Sequence, residues 1–322
     1  MKKFLVTGAA GFIGYYLAKK LAEDKSNFVY CVDNFARGEN DQEYRDLVAK
    51  TNVEAIELDL SEKSNYAKLP LDVDYVFHMA AMNGTQNFYE RPMDVLKFCT
   101  LPTMFLIEHY APVSDKIKRF VFAGTSESYA STVTLFDWQV PTDEKVPLSV
   151  DDPSNVRWSY AASKIHGEVA TYIASRHYNM PITVLRFHNA YGPRMGDKHV
   201  VPDFLERAKN GIYELYGYEN TRSFLYIDDV IEASLGIAFC DEAIGEIVNI
   251  GGELEVTMLE LGQKMMDVCS MKGEIILHPA PEGSVLRRLP DVSKLKSLIN
   301  FEAKISLEEG LALTADYYLN TK

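Results

Sequence analysis

Short apolar runs recur along the first part of the chain, each bounded by turn residues or charges. Residues 4–6, 28–32, 53–58, 75–79, 120–123 and 182–187 read as buried strands. Longer stretches with helical spacing lie between them, at 14–22, 94–110 and 160–178. This alternation predicts an α/β fold, a doubly wound parallel sheet with helices on both faces. A last strand candidate, 247–250, comes late. From about residue 192 to 243 turns, aromatics and charges replace the pattern, and this stretch is expected to leave the main sheet. Beyond 251, short helical segments surround an extended run at 275–279. No repeat, low-complexity tract or flexible linker intervenes, so two interleaved units sharing one cleft are expected.

The first apolar run leads directly into Thr7-Gly8-Ala9-Ala10-Gly11-Phe12-Ile13-Gly14. Gly8 permits a tight turn, Gly11 lets the backbone approach a pyrophosphate, and Gly14 allows close packing of helix on strand. The N–H groups and positive dipole end of the following helix then face the phosphates. The second strand ends in Asp33-Asn34. A carboxylate about twenty residues past such a loop hydrogen-bonds the adenosine ribose. Its charge opposes a 2′-phosphate, so NAD is the preferred cofactor; Arg37, close by, leaves NADP as the alternative. Asp59 and Leu60 after the third strand suit an adenine pocket. Ala80 and Ala81 after the fourth leave room for the cofactor.

Tyr160 and Lys164 stand one helical turn apart. A free phenol titrates near pH 10, too high for a base at neutral pH. An adjacent ammonium favours the phenolate and is expected to lower that value. Such a pair takes a proton from a hydroxyl while hydride leaves to a nicotinamide. The fifth strand ends in Gly124-Thr125-Ser126-Glu127, at the edge that faces the cleft in this architecture. Thr125 and Ser126 are candidate hydrogen-bonding hydroxyls, and Glu127 is a candidate acid or base on a carbon next to a ketone.

Composition narrows the picture. The chain has 322 residues, 47% hydrophobic and 25% charged, the balance of a globular protein with a large core. Its net charge of −13 repels phosphate backbones, so no nucleic-acid partner is expected. No apolar run is long enough to span a membrane, and no signal peptide is recognisable. Four scattered cysteines without a CxxC pair read as reduced thiols in a cytoplasmic protein, and no histidine pair suggests a metal.

Taken together, these residues resemble the extended short-chain dehydrogenase/reductases, in their nucleotide-sugar epimerase/dehydratase group. The resemblance also rests on Arg186-Phe187-His188-Asn189-Ala190-Tyr191-Gly192-Pro193-Arg194, on Thr221-Arg222-Ser223-Phe224 through Val230, and on Arg287-Arg288-Leu289-Pro290-Asp291. It implies a Rossmann-type NAD-binding unit over 1–190 plus about 225–250. A smaller, interleaved nucleotide-sugar-binding unit would cover 191–224 and 251–322.

The implied chemistry begins at C4 of a UDP-, GDP- or dTDP-linked sugar. Tyr160 takes the C4 hydroxyl proton, Lys164 supports it and binds the nicotinamide ribose, Thr125 assists, and a 4-keto sugar results. Asn189, Arg222 and Arg287 or Arg288 would hold the diphosphate. Val201 would line the base. Glu127 and the Arg157-Trp158-Ser159-Tyr160 run resemble UDP-glucuronate decarboxylases and some 4,6-dehydratases. Decarboxylation or dehydration is therefore the preferred outcome, with a 4-epimerase or a simple 4-dehydrogenase as alternatives. A non-catalytic NAD-binding regulator is a different class, disfavoured by the intact Tyr160/Lys164 pair. The family also implies a homodimer. The chain departs from the family pattern at Cys99, Pro102, Ser128-Tyr129-Ala130 and residues 83–89.

Overall fold

A computed structural model of the chain describes residues 1–197, 199–280 and 285–321. Seven strands form the main sheet: β1 (Lys2–Thr7), β2 (Asn27–Asp33), β3 (Val53–Glu57), β4 (Tyr75–His78), β5 (Arg119–Thr125), β6 (Ile182–Phe187) and β7 (Ile247–Ile250). All neighbours are parallel, in the order β7-β6-β5-β4-β1-β2-β3. The order reverses beside β1, where a doubly wound sheet opens its ligand crevice. Each central strand sends alternate side chains to opposite layers, as the period of two demands. Phe4, Val6, Phe77, Val121 and Leu185 join one core; Leu5, Val76, Phe120, Phe122 and Val184 join the other.

Helices α1 (Phe12–Leu21), α2 (Gln42–Val48), α3 (Thr85–Glu90), α4 (Pro92–Tyr110), α5 (Ser159–Tyr178) and α6 (Ile227–Phe239) cover or flank the sheet. Leu17, Ala18 and Leu21 of α1 enter the first core with Val230, Ile231 and Ile237 of α6. Leu106, Ile107 and Tyr110 of α4 enter the second with Ala174 of α5. Helix α6 thus returns to the sheet inside the stretch expected to leave it. The apolar residues of 227–239 read as irregular because Asp228, Asp229 and Glu232 interrupt them. Asp229 is buried and accepts from the N–H groups of Lys304 and Ile305, 3.0 Å each.

The remaining strands are short. Thr221–Ser223 lies between Glu255–Thr257 and Arg287–Arg288, Leu225–Tyr226 pairs with Ala190–Tyr191, and Glu214–Tyr216 pairs with Ile276–His278. No helix among the described residues is long and apolar enough to cross a membrane.

Two histidines are locked into the interior. His78 is bonded to Thr7 Oγ1 at 2.9 Å and Thr103 Oγ1 at 3.0 Å, and His188 to Tyr129 Oη at 3.0 Å. Burial lowers each pKa to about 3. A histidine with a depressed folded pKa stabilises the fold above its unfolded value, about 6.5, and loses that contribution as pH falls towards the folded value. Each should therefore subtract up to about 1.4 kcal/mol of stability per pH unit within that window. Denaturant unfolding at about pH 7 and about pH 5 checks this. Equal stability at both would mean that the folded chain accepts these protons.

Candidate active site

A cleft of about 700 Å³ runs along the carboxyl ends of the central strands. Gly8, Gly11, Phe12, Ile13 and Gly14 line one end, with Asp33, Asn34, Arg37, Asp59, Leu60, Ala80 and Ala81. The glycine turn tolerates no side chains. Gly8 has φ +70°, and a Cβ on Gly14 would meet the Gly8 carbonyl oxygen at 2.1 Å. The Asp33 carboxylate accepts from Ala10 N at 2.9 Å and Phe35 N at 2.8 Å, which ties the end of β2 to the loop. Gly11 caps α1 without a side-chain bond, so the first-turn N–H groups remain for phosphate oxygens. A bare backbone cradle, a carboxylate at the ribose position and small residues beneath fit a dinucleotide. Arg37 lies close enough for its charge to act on Tyr160 and Cys99.

Farther along, Thr125, Ser126, Glu127, Tyr160 and Lys164 line the same cleft. Strand β5 runs on through Gly124 and Thr125, and Thr125 pairs in register with Phe187 of β6. Lys164 is buried; its Nζ donates to the Ala123 carbonyl at 2.7 Å and lies 5.8 Å from the Tyr160 ring centre. The phenol is nevertheless raised above its ordinary pKa, contrary to the expectation from sequence. Burial is the largest cause; Cys99 and Glu127 add to it, while Arg37 and the facing Thr125 hydroxyl oppose it. Burial likewise lowers Lys164, against the pull of Cys99 and Glu168. Desolvation dominates both groups, which share one dry pocket.

Glu127 forms an ion pair with Arg288 Nη1 at 2.9 Å and approaches Arg157 Nη2 at 3.7 Å. Burial pushes its pKa up, but Arg288, Arg157 and Arg222 outweigh this and hold it below the usual range, so it remains a carboxylate. Arg157 Nη1 and Arg288 Nε are buried without a hydrogen-bond partner. Arg222 donates to the Thr221 and Val285 carbonyls, 2.7 Å each; burial and then Arg288 lower its pKa to about 9. It stands beside this group rather than on the main cleft. Asn189 lines the cleft and donates to Ser223 O at 2.8 Å.

Two further residues expected at the substrate do not line the cleft. Arg287 points outward and grips Glu255 at 2.7 and 2.9 Å. Successive strand residues face opposite ways, so Arg288 takes the cleft and Arg287 the surface. Val201 has no exposed surface and packs in the core beside Phe204. The helix Val200–Lys209 turns its apolar face inward.

A family model for NAD-dependent epimerases/dehydratases matches residues 4–251. The chain belongs to this family. It is 32% identical to a UDP-N-acetyl-alpha-D-glucosaminuronate decarboxylase of Bacillus cytotoxicus, over 98% of each chain. It is 29% identical to UDP-glucuronic acid decarboxylase 1 of Danio rerio, over 98% of this chain and 72% of that one. Among solved structures, UDP-glucose 4-epimerase of Thermotoga maritima with UDP-glucose superposes with a TM-score of 0.87, at 28% identity over 99% of both chains. As a member of this family the protein is an NAD-dependent enzyme, and its reaction begins with oxidation at C4 of a nucleotide sugar.

Its cofactor cleft has a strap that the motifs did not assign. Arg194, with φ +65°, bonds the carboxylates of Asp41 and Glu43, the latter at 3.0 Å. Its guanidinium lies 4.1 Å from the Tyr15 ring centre and reaches the Ala10 carbonyl at 3.4 Å. It thereby joins the segment after β6 to the segment after β2 across the glycine loop. An Arg194→Met variant should purify with less bound NAD and bind it about tenfold more weakly, the loss of one or two charge-assisted bonds. Nucleotide released on denaturation measures this. Wild-type cofactor content in the variant would make the strap a fold contact only. Phe88 was equally illegible from sequence. It stacks on Tyr160 at 5.1 Å and 13°, and the two rings share a small cluster with Met82, Val95 and Cys99.

Proposed function

We propose that the protein decarboxylates a UDP-linked hexuronic acid. The observation that carries this reading is the group around Glu127. Arg157, Arg222 and Arg288 gather about a single carboxylate, and two of them keep buried donors without partners. With Arg222 assigned to the diphosphate, Arg157 and Arg288 against one glutamate leave a local excess of about one positive charge, which suits a second carboxylate beside the reacting carbons. Two relatives named above act on uronates, which supports both the acid group and the UDP.

In this reading Tyr160, as phenolate, takes the C4 hydroxyl proton, and Thr125 holds the same oxygen. Lys164 supports the charge and holds the nicotinamide ribose. Bound NAD, held at the glycine loop, would supply the acceptor for the C4 hydride and its return at the end, so the overall reaction is redox-neutral. The C4 ketone stands β to the C5 carboxylate. The C5–carboxylate bond breaks, its electron pair enters the C4–C5 enolate, and Tyr160 donates a hydrogen bond to the enolate oxygen. C5 takes a proton from solvent, and Tyr160 returns its proton to O4. Arg157 and Arg288, gathered by the ionised Glu127, orient the carboxylate before it leaves. Asn189 and Arg222 hold the diphosphate.

The cofactor unit is 1–190 with about 225–250, and the sugar unit is 191–224 with 251–322. We also assign a homodimer through α4 and α5, where Met93, Val169 and Ile173 are exposed. Product mass after incubation with UDP-hexuronic acids and NAD tests the function. Loss of carbon dioxide supports it. Unchanged mass with altered stereochemistry at C4 would make the protein a 4-epimerase.

A further inference from the structure

The two decarboxylases named above differ, by name, in one substituent of the sugar: one acts on an N-acetylated uronate. Residues 83–88 bear on that choice, and they depart from the family pattern. Asn83 and Asn87 line the cleft that holds Tyr160 and Glu127. Phe88, in the same short helix, lies face-on against the Tyr160 ring, which sets this segment against the residue expected at C4. The orientation of each amide is fixed by its own bonds. Asn83 Oδ1 accepts from Gly84 N at 2.7 Å, which leaves its Nδ2 as a donor. Asn87 Nδ2 donates to Asn83 O at 2.9 Å, which leaves its Oδ1 as an acceptor. Gly84, with φ +117°, makes the turn that brings the two amides together. Met82 and Phe98 supply apolar surface on the same wall.

A donor, an acceptor and an apolar patch are the complement of an acetamido group. Its carbonyl accepts, its N–H donates, and its methyl is apolar. A lone hydroxyl satisfies the pair less well and leaves the apolar surface uncovered.

We propose that Asn83 and Asn87 select a substrate carrying a 2-acetamido group, so that the acid is a UDP-linked N-acetylhexosaminuronic acid. The proposal rests on the decarboxylase reading for the acid group alone. The experiment compares UDP-N-acetylglucosaminuronic acid with UDP-glucuronic acid as substrates of the NAD-loaded protein. A parallel titration compares UDP-N-acetylglucosamine with UDP-glucose, which have no carboxylate to lose.

The acetamido compound should be favoured about tenfold or more in kcat/KM and in binding, and Asn87→Leu should reduce both ratios about tenfold. Asn87→Gln, which keeps the amide, should restore part of the preference. A merely structural role would lower turnover of both uronates together and leave the ratio in place. Equal use of both uronates overturns the acetamido assignment and leaves decarboxylation standing. If neither uronate loses carbon dioxide, the decarboxylase reading fails, and the titration alone decides the assignment: a preference for the acetamido sugar upholds it, and equal binding overturns it.

Discussion

Replacing Tyr160 with phenylalanine should lower kcat about a thousandfold, within the range of a lost general acid–base group. The substitution removes one oxygen and little else. The ring keeps its place on Phe88 and near the Lys164 ammonium, 5.8 Å from the ring centre. Binding of substrate and NAD should hold within about threefold, because no diphosphate or ribose contact is lost. The phenol also makes a pH prediction. Burial raises its pKa, so the reactive phenolate is scarce at neutral pH and becomes more abundant as pH rises. Wild-type kcat should climb with pH on its alkaline side, and the residual activity of Tyr160→Phe should lose that climb. Stopped-flow NADH formation across pH, for both proteins, measures it. A variant that keeps a tenth of the activity would remove Tyr160 from the proton path.

Much of the fold was legible because parallel strands are buried on both faces and so write continuous apolar runs. The glycine loop was legible for a related reason. A Cβ at Gly14 collides with backbone, so the sequence must state the residue outright. The Tyr160/Lys164 pair and Glu127 were visible as side-chain chemistry at the ends of recognised elements.

What sequence could not show was direction and contact between distant segments. Arg287 and Arg288 are chemically alike, and only the pairing of their short strand with Thr221–Ser223 decides which faces the cleft. Val201 reads as apolar whether it faces a base or the core. Arg194 and its partners Asp41 and Glu43 are far apart in the chain. The rise in the Tyr160 pKa was also hidden, because the spacing of the pair fixes its proximity to Lys164 but not how deeply the phenol is buried.

Loss of Glu168 should be the most damaging single change to stability. Arg186 grips its carboxylate at 3.0 and 2.8 Å, and both side chains are almost wholly buried, at 2% and 3% exposure. The pair lies behind β5, where a Cβ on Gly124 would stand 3.0 Å from Glu168 Oε1. Glu168→Gln keeps the shape but leaves a buried guanidinium without its counter-charge. Such breaks cost about 3–5 kcal/mol. Among the described residues, Arg186 retains only the Glu144 carbonyl, at 3.1 Å, as an acceptor beyond that pair. A double variant with Glu168→Leu and Arg186→Leu should lose much less, because no unpaired charge remains. Denaturant unfolding of the two variants gives the comparison, and equal losses would mean that the cavity rather than the charge sets the cost. Activity should part from stability here. Glu168 lies one turn beyond Lys164 on α5 and helps keep its ammonium charged against burial. The double variant should therefore recover stability but not full kcat, and the alkaline climb of its kcat should end at a lower pH than that of the wild type, because the Lys164 ammonium is lost sooner.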